Sequence, residues 1–189
     1  MITTAQAWRL ALIVGGAKSG KSRLAQQLAE TLPAPRLYVA TGEAKDAEMQ
    51  IRIRRHQEGR GPSWQTWEEP VALGQTLAQA DGGFGVILVD CLTLWLSNLL
   101  ARSDAEVESE RQKLLTVLAT LTTPVILVSN EVGWGIVPAN PLARQFRDAA
   151  GLLHQELARQ ADLAVLVVCG LPVVLKGPGT SNTTIGDNR

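Results

Sequence analysis

No excess of either charge runs through this sequence: 18 Lys and Arg stand against 18 Asp and Glu. A neutral chain has no global field to hold a polyanion, which argues against sequence-independent nucleic-acid binding. Cysteine is scarce. Cys91 and Cys169 both fall in or beside apolar strand-like runs, and they read as buried free thiols rather than a disulfide. No Cys/His cluster has zinc-ligand spacing. Long apolar runs are missing as well: the longest, Leu163 to Leu175, is interrupted by Gly170 and Pro172 and is too short for a bilayer. The opening MITTAQAWRLALIVGG lacks the basic start, long apolar region and small-residue cleavage site of a signal peptide. These absences predict a soluble cytoplasmic protein with no membrane-spanning segment.

What is present is the material of a folded α/β domain. Hydrophobic residues make up 46% of the 189 positions, enough for one sizeable core and too few residues for a second full domain. Near-continuous apolar runs at Leu10–Val14, Arg36–Ala40, Gly85–Asp90, Val125–Ser129 and Leu163–Val168 predict strands covered on both faces. Helical patterns at Lys21–Thr31, Asp46–Glu58, Val71–Ala80, Leu92–Ala101, Asp104–Leu121 and Leu142–Gln160 alternate with them. The alternation predicts a single doubly wound, mostly parallel sheet over residues 1–176. Residues 1–8 read as a loose lead-in, and GPGTSNTTIGDNR from Gly177 reads as a disordered tail, 177–189.

The most specific motif is GGAKSGKS: Gly15, Gly16, Ala17, Lys18, Ser19, Gly20, Lys21 and Ser22. It fits G-x-x-x-x-G-K-[ST] and lies between a predicted strand and a predicted helix, the setting of a phosphate-binding loop. Glycines let successive backbone N–H groups curl around a phosphate, and the helix N-terminus adds its positive dipole end. Lys21 is expected to reach the β- and γ-phosphates of a nucleotide, and the Ser22 hydroxyl to ligate Mg²⁺. Asp90, closing GVILVD, is the second acid such loops use for that ion; it also suits a helix N-cap.

Ligands of parallel sheets collect at the carboxyl ends of strands. That rule selects Ala40, Thr41 and Gly42, then Asp90, then Ser129, Asn130 and Glu131. In NEVGWGIVPANP, Trp134 is placed either to cover a large flat ligand or to plug a gap. Arg144, Arg147 and Asp148 on the next helix suit a salt-bridge face, or a phosphate contact.

The run IRIRRHQEGR sets His56 among arginines. A solvated helix face and a reactive imidazole held among polyphosphate-gripping cations both fit that pattern. His154, on a long amphipathic helix, reads as structural.

Taken in order, GGAKSGKSRLAQQLAE, YVATGEAKDAEMQIRIRRHQEGR, WQTWEEP, VDCLTLWLSNLL, SNEVGWGIVPANPLARQFRDAAG and QADLAVLVVCGLPVVLKG resemble the bifunctional adenosylcobinamide kinase / adenosylcobinamide-phosphate guanylyltransferase family of cobalamin biosynthesis. The likeness runs from about Leu10 to Lys176, and it implies a P-loop NTPase-like, RecA-like fold. It also implies two reactions: phosphorylation of the aminopropanol hydroxyl of adenosylcobinamide by ATP or GTP, and GMP transfer from GTP to the resulting phosphate through a histidine. By resemblance that histidine is His56. Arg54, Arg55 and Arg60 would then neutralise the pyrophosphate leaving group.

The resemblance further implies guanosine-nucleotide contacts at Gly15–Ser22, Ala40–Gly42, Gln57, Glu58, Gly59, Arg60, Glu68 and Asp90. A carboxylate such as Glu68 can accept from guanine N1–H and N2–H. Family members tend to form homo-oligomers, trimers among them. The family often has Arg where this loop has Lys18, and some members carry a second histidine where this chain has Arg55. Two rival functions are a small-molecule kinase without guanylyl transfer and a GTP-binding regulatory switch. The switch lacks its guanine-specific [NT]-K-x-D, since NEVG has neither the Lys nor the Asp.

Overall fold

The structure is a computed structural model that describes residues 8–42 and 61–178. Five strands fall where the apolar runs predict them: β1 (Leu10–Gly15), β2 (Arg36–Ala40), β4 (Val86–Asp90), β5 (Val125–Asn130) and β6 (Leu163–Val168). Two more, β3 (Trp64–Glu68) and β7 (Leu171–Lys176), complete a seven-stranded sheet of order β3-β2-β4-β5-β1-β6-β7. All neighbours are parallel except β6 and β7, an antiparallel pair. The sequence pattern misses the two edge strands for different reasons. WQTWE is half exposed along its length, so it carries no continuous apolar signal, and LPVVLK contains Pro172, tolerated here because the strand is an outer one.

The helices are α1 (Lys21–Glu30), α2 (Leu73–Ala80), α3 (Leu92–Leu100), α4 (Asp104–Thr120) and α5 (Pro141–Gln160). Their ends follow capping chemistry. Ser103 accepts from the Glu106 N–H at the start of α4, with Asp104 and Glu106 in the first turn. Asn140 accepts from the Leu142 and Ala143 N–H groups at the start of α5, with Pro141 just inside. The helix expected at Asp46–Glu58 lies outside the described residues.

Odd and even positions of each strand enter different cores. Leu10, Leu12, Val14, Leu37, Ile87, Val89 and Leu127 pack under α2, α3, α4 and α5. Ala11, Ile13, Leu88, Ile126, Val128 and Val165 pack against α1. Each fully buried aliphatic side chain contributes roughly 1.5–3 kcal/mol, so the sheet is the rigid part on which everything else is mounted.

Two expectations need correction. Trp8 is not part of a loose lead-in, since it is buried in the core on the α1 face. Cys169 is free but exposed, because it occupies the β6–β7 turn with Gly170, both at positive φ (53° and 79°).

Because the six strands β1 to β6 run the same way, their carboxyl ends lie along one edge. The register sets Gly15 beside Asn130, Ala40 beside Asp90 and Ala40 beside Glu68.

Candidate functional site

The loop between β1 and α1 is shaped by its glycines. A Cβ on Gly15 would stand 2.5 Å from the Val167 carbonyl oxygen and 2.6 Å from Ser19 Oγ, so only glycine fits. Gly20 takes φ 98° as it enters α1, a left-handed turn that brings the following N–H groups to the helix start. The first turn of α1 holds no acidic residue, which leaves its positive dipole end uncompensated by side chains. Lys21 is buried, and its ammonium donates to the Gly16 carbonyl at 3.2 Å, folded back over the loop. The Ser19 hydroxyl is buried inside the loop with no hydrogen-bond partner. An orphan donor of that kind calls for a ligand or water, and a phosphate oxygen would be a suitable acceptor.

The loop is braced from behind. Gly170 in the β6–β7 turn donates its N–H to the Ser19 carbonyl at 2.9 Å, and Glu131 donates its N–H to the Gly15 carbonyl at 3.0 Å.

Asp90 closes β4, which β5 separates from β1. Two strand spacings, about 10 Å, therefore lie between the chain at Asp90 and the start of the phosphate loop. Among the described residues no group of three His, Cys, Asp or Glu could cage a metal. Ser22 and Asp90 offer hard oxygens, and a cation held by only these would draw its remaining ligands from phosphate and water. That donor set suits Mg²⁺, which keeps several waters and bridges to substrate phosphates.

Next to Asp90 a buried polar network fixes the strand ends. The Thr41 hydroxyl donates to the Cys91 carbonyl (2.7 Å) and accepts from the Cys91 N–H (2.9 Å). Cys91 Sγ lies 3.0 Å from Thr93 Oγ1, which accepts from Asn130 Nδ2 at 2.8 Å. Asn98 donates to the Thr41 carbonyl at 2.8 Å. Thr41 is thus fully committed inside the protein, and Gly42 is the partly exposed member of the Ala40–Gly42 turn. Burial, with the neighbouring Asp90 charge second, pushes the Cys91 thiol above its usual range, so it is not a nucleophile here.

The strand-end rule selects Ser129 and Glu131 at the end of β5, and the structure adds His154, which no spacing linked to them. His154 Nε2 lies 2.7 Å from Ser129 Oγ, and Nδ1 lies 3.9 Å from Glu131 Oε2. Desolvation holds the imidazole below its ordinary value, against the opposing pull of Glu131. Ser129 is 1% exposed, so no substrate reaches its hydroxyl, and the trio ties α5 to the strand end. The structural reading of His154 holds. Trp134 is 75% exposed and does not plug a gap. Arg144 donates to the Pro138 and Ala139 carbonyls (2.9 and 2.6 Å), while Arg147 pairs with Asp148 at 3.0 Å. Glu68 is exposed at the carboxyl end of the edge strand β3. His56, Gln57, Glu58, Gly59 and Arg60 lie outside the described residues.

A model of the cobinamide kinase / cobinamide phosphate guanyltransferase family matches residues 11–175. The chain is 48% identical over 168 residues to the bifunctional adenosylcobalamin biosynthesis protein CobP of Pseudomonas aeruginosa, covering 88% of this chain and 96% of that protein. It is 41% identical over 180 residues to CobU, the protein of the same description from Salmonella typhimurium, covering 87% and 98%. Among solved structures, the flagellar accessory protein FlaH of Methanocaldococcus jannaschii superposes with TM-score 0.52 at 14% identity, over 89% of this chain and 78% of that one. At that identity the likeness is one of fold.

Proposed function

Since the chain belongs to the cobinamide kinase / cobinamide phosphate guanyltransferase family, a transferase family of cobalamin biosynthesis, we propose that the Gly15–Ser22 loop holds the nucleotide and His56 carries GMP between its two reactions. The kinase and guanylyltransferase activities come with family membership. The unpartnered Ser19 hydroxyl inside a glycine-shaped loop is the observation that supports the loop assignment; the His56 assignment rests on the family resemblance.

In the kinase step the loop N–H groups and Lys21 bind the β- and γ-phosphates. Lys21 gives up its bond to the Gly16 carbonyl for the phosphate oxygens. The aminopropanol hydroxyl of cobinamide attacks the γ-phosphorus, the bond to the β-phosphate oxygen breaks, and the hydroxyl proton is released. Positioning and charge stabilisation supply the rate in such transfers. Ser22 and Asp90 would hold Mg²⁺, which would neutralise charge developing on the leaving phosphate.

In the second reaction a neutral His56 nitrogen attacks the α-phosphorus of GTP and pyrophosphate leaves. A phosphate oxygen of cobinamide phosphate then attacks that phosphorus, the P–N bond breaks, and the imidazole is regenerated. Arg54, Arg55 and Arg60 balance the pyrophosphate charge, Gln57, Glu58 and Gly59 line the nucleotide, and Glu68 accepts from the guanine edge. The cytoplasm is the expected setting; no described helix is long and apolar enough to cross a membrane. A homo-oligomer, a trimer by family resemblance, accords with the exposed apolar side chains of the outermost strand, Leu171, Val173, Val174 and Leu175.

The test is a labelling experiment with Mg²⁺ and GTP carrying label at the α- or the γ-phosphate, followed by alkaline denaturation. Acid-labile label from the α-position alone, lost in His56→Ala, is the expected result. Absence of α-label under turnover conditions would leave only the kinase reading of the site.

A further inference from the structure

Past the carboxyl end of β5 the structure holds a cleft of about 540 Å³, between α3 and the start of α5 and lined by Val132 and Pro138 of the segment that leaves β5. That volume is ordinary for a small-molecule site, and its lining is mostly apolar. Leu100, Val132, Leu142 and Phe146 supply apolar walls, with Asn140 and Arg147 as polar members. The same segment presents Trp134, Ile136 and Val137 to solvent at 75%, 97% and 61% exposure. Large apolar side chains gathered on one loop beside a cleft mark a binding surface rather than scattered surface residues.

The loop is held in shape without a ligand. Glu131 anchors its start, donating its N–H to the Gly15 carbonyl (3.0 Å) and accepting from the Gly133 N–H with Oε1 (2.6 Å). Arg144 clamps its end through the Pro138 and Ala139 carbonyls. An overhang fixed at both ends and joined by one hydrogen bond to the phosphate loop can set an acceptor next to a donor nucleotide without first ordering itself, which lowers the cost of binding.

We propose that this cleft and its overhang are the docking site of the corrinoid acceptor, with the macrocycle against Leu142, Phe146 and the Trp134–Val137 face. The inference rests on the cobinamide-kinase reading above. Cobinamide is a large ring with an apolar face and a rim of neutral amides. An apolar wall bordered by Asn140 and Arg147 matches it better than it matches a nucleotide, whose charges the phosphate loop already serves. The ring is larger than the cleft, so part of it lies over the exposed overhang. That accounts for the outward-facing tryptophan. A second copy of this chain suits the flat outer face of β7 better than a cleft under an overhang.

The probe is dicyanocobinamide, whose near-ultraviolet absorption overlaps tryptophan emission and quenches it, titrated into the full chain and into Leu142→Arg, Ala143→Trp and Trp134→Ala. Leu142 is 58% exposed, so its substitution spares the core. Weakening of cobinamide binding by about tenfold or more in the first two is expected, on the scale by which pocket contacts discriminate ligands, with a smaller loss in Trp134→Ala. The KM for cobinamide in the kinase assay should rise in parallel, and the KM for nucleotide should not. Unchanged cobinamide binding in Leu142→Arg and Ala143→Trp would overturn the proposal. So would a matching rise in both KM values, or a change in sedimentation alone, which would give the cleft to a second copy. Binding that depends on Leu142 in a chain without kinase turnover would sustain the docking site and refute the reading it rests on.

Discussion

Two regions meet at the same edge of this sheet and are built in opposite ways. The Gly15–Ser22 loop is eight consecutive residues shaped by Gly15 and Gly20, and under the proposed function it would work mostly through backbone N–H groups. The exit of β5 is a side-chain construction: Ser129 on His154, Asn130 on Thr93, and Glu131 bonded to Gly133. A backbone-built site is indifferent to most side chains and intolerant of one added carbon. A side-chain-built site spreads its dependence over several distant residues and should fail by increments.

Gly15→Ala gives the largest expected effect. Its Cβ cannot coexist with the Val167 carbonyl oxygen at 2.5 Å, so the loop must shift. A displacement on the order of an ångström costs around a hundredfold in rate, read as kcat/KM for the nucleotide with the fold intact by circular dichroism. Thr93→Val is the counterpart on the other side. It strips the partner from Asn130 Nδ2 and the neighbour from the Cys91 thiol. Roughly 1 kcal/mol of stability should go with a part-buried amide left without its partner, seen in chemical denaturation, with the nucleotide KM little moved. If Thr93→Val damages nucleotide binding as deeply as Gly15→Ala does, the two regions are one unit and the contrast fails.

The smallest effect belongs to His154, and it is visible only as a pH dependence. Its folded pKa lies below the ordinary 6.5 because burial disfavours the charged ring. The unfolded chain therefore binds the extra proton first as pH falls. Stability should be unaffected above 6.5 and decline from there down to the lowered folded value. His154→Gln should flatten that slope in acid denaturation curves; an unchanged slope would assign it to other groups.

The same contrast explains what could be read from sequence. The phosphate loop was legible because its information is local, between a strand and a helix that also announce themselves. Helix boundaries fell within a residue or two where Ser103 and Asn140 sign them. Contacts such as Thr41 with Cys91, 50 residues apart, or Ser129 with His154, 25 apart, have no signature in spacing, because only the closed sheet brings them together. The edge strand at Trp64–Glu68 was invisible for a related reason: a strand that buries little carries little pattern.

The β6–β7 turn that braces the phosphate loop has a practical use. Of the two thiols, Cys91 is buried with its ionisation suppressed, while Cys169 stands exposed beside the Gly170 N–H that holds Ser19. A maleimide dye added to the native protein therefore has one address, one residue from the hydrogen bond that supports the loop. The natural sequence already carries a fluorescent reporter position for nucleotide occupancy, with no cysteine to add and none to remove.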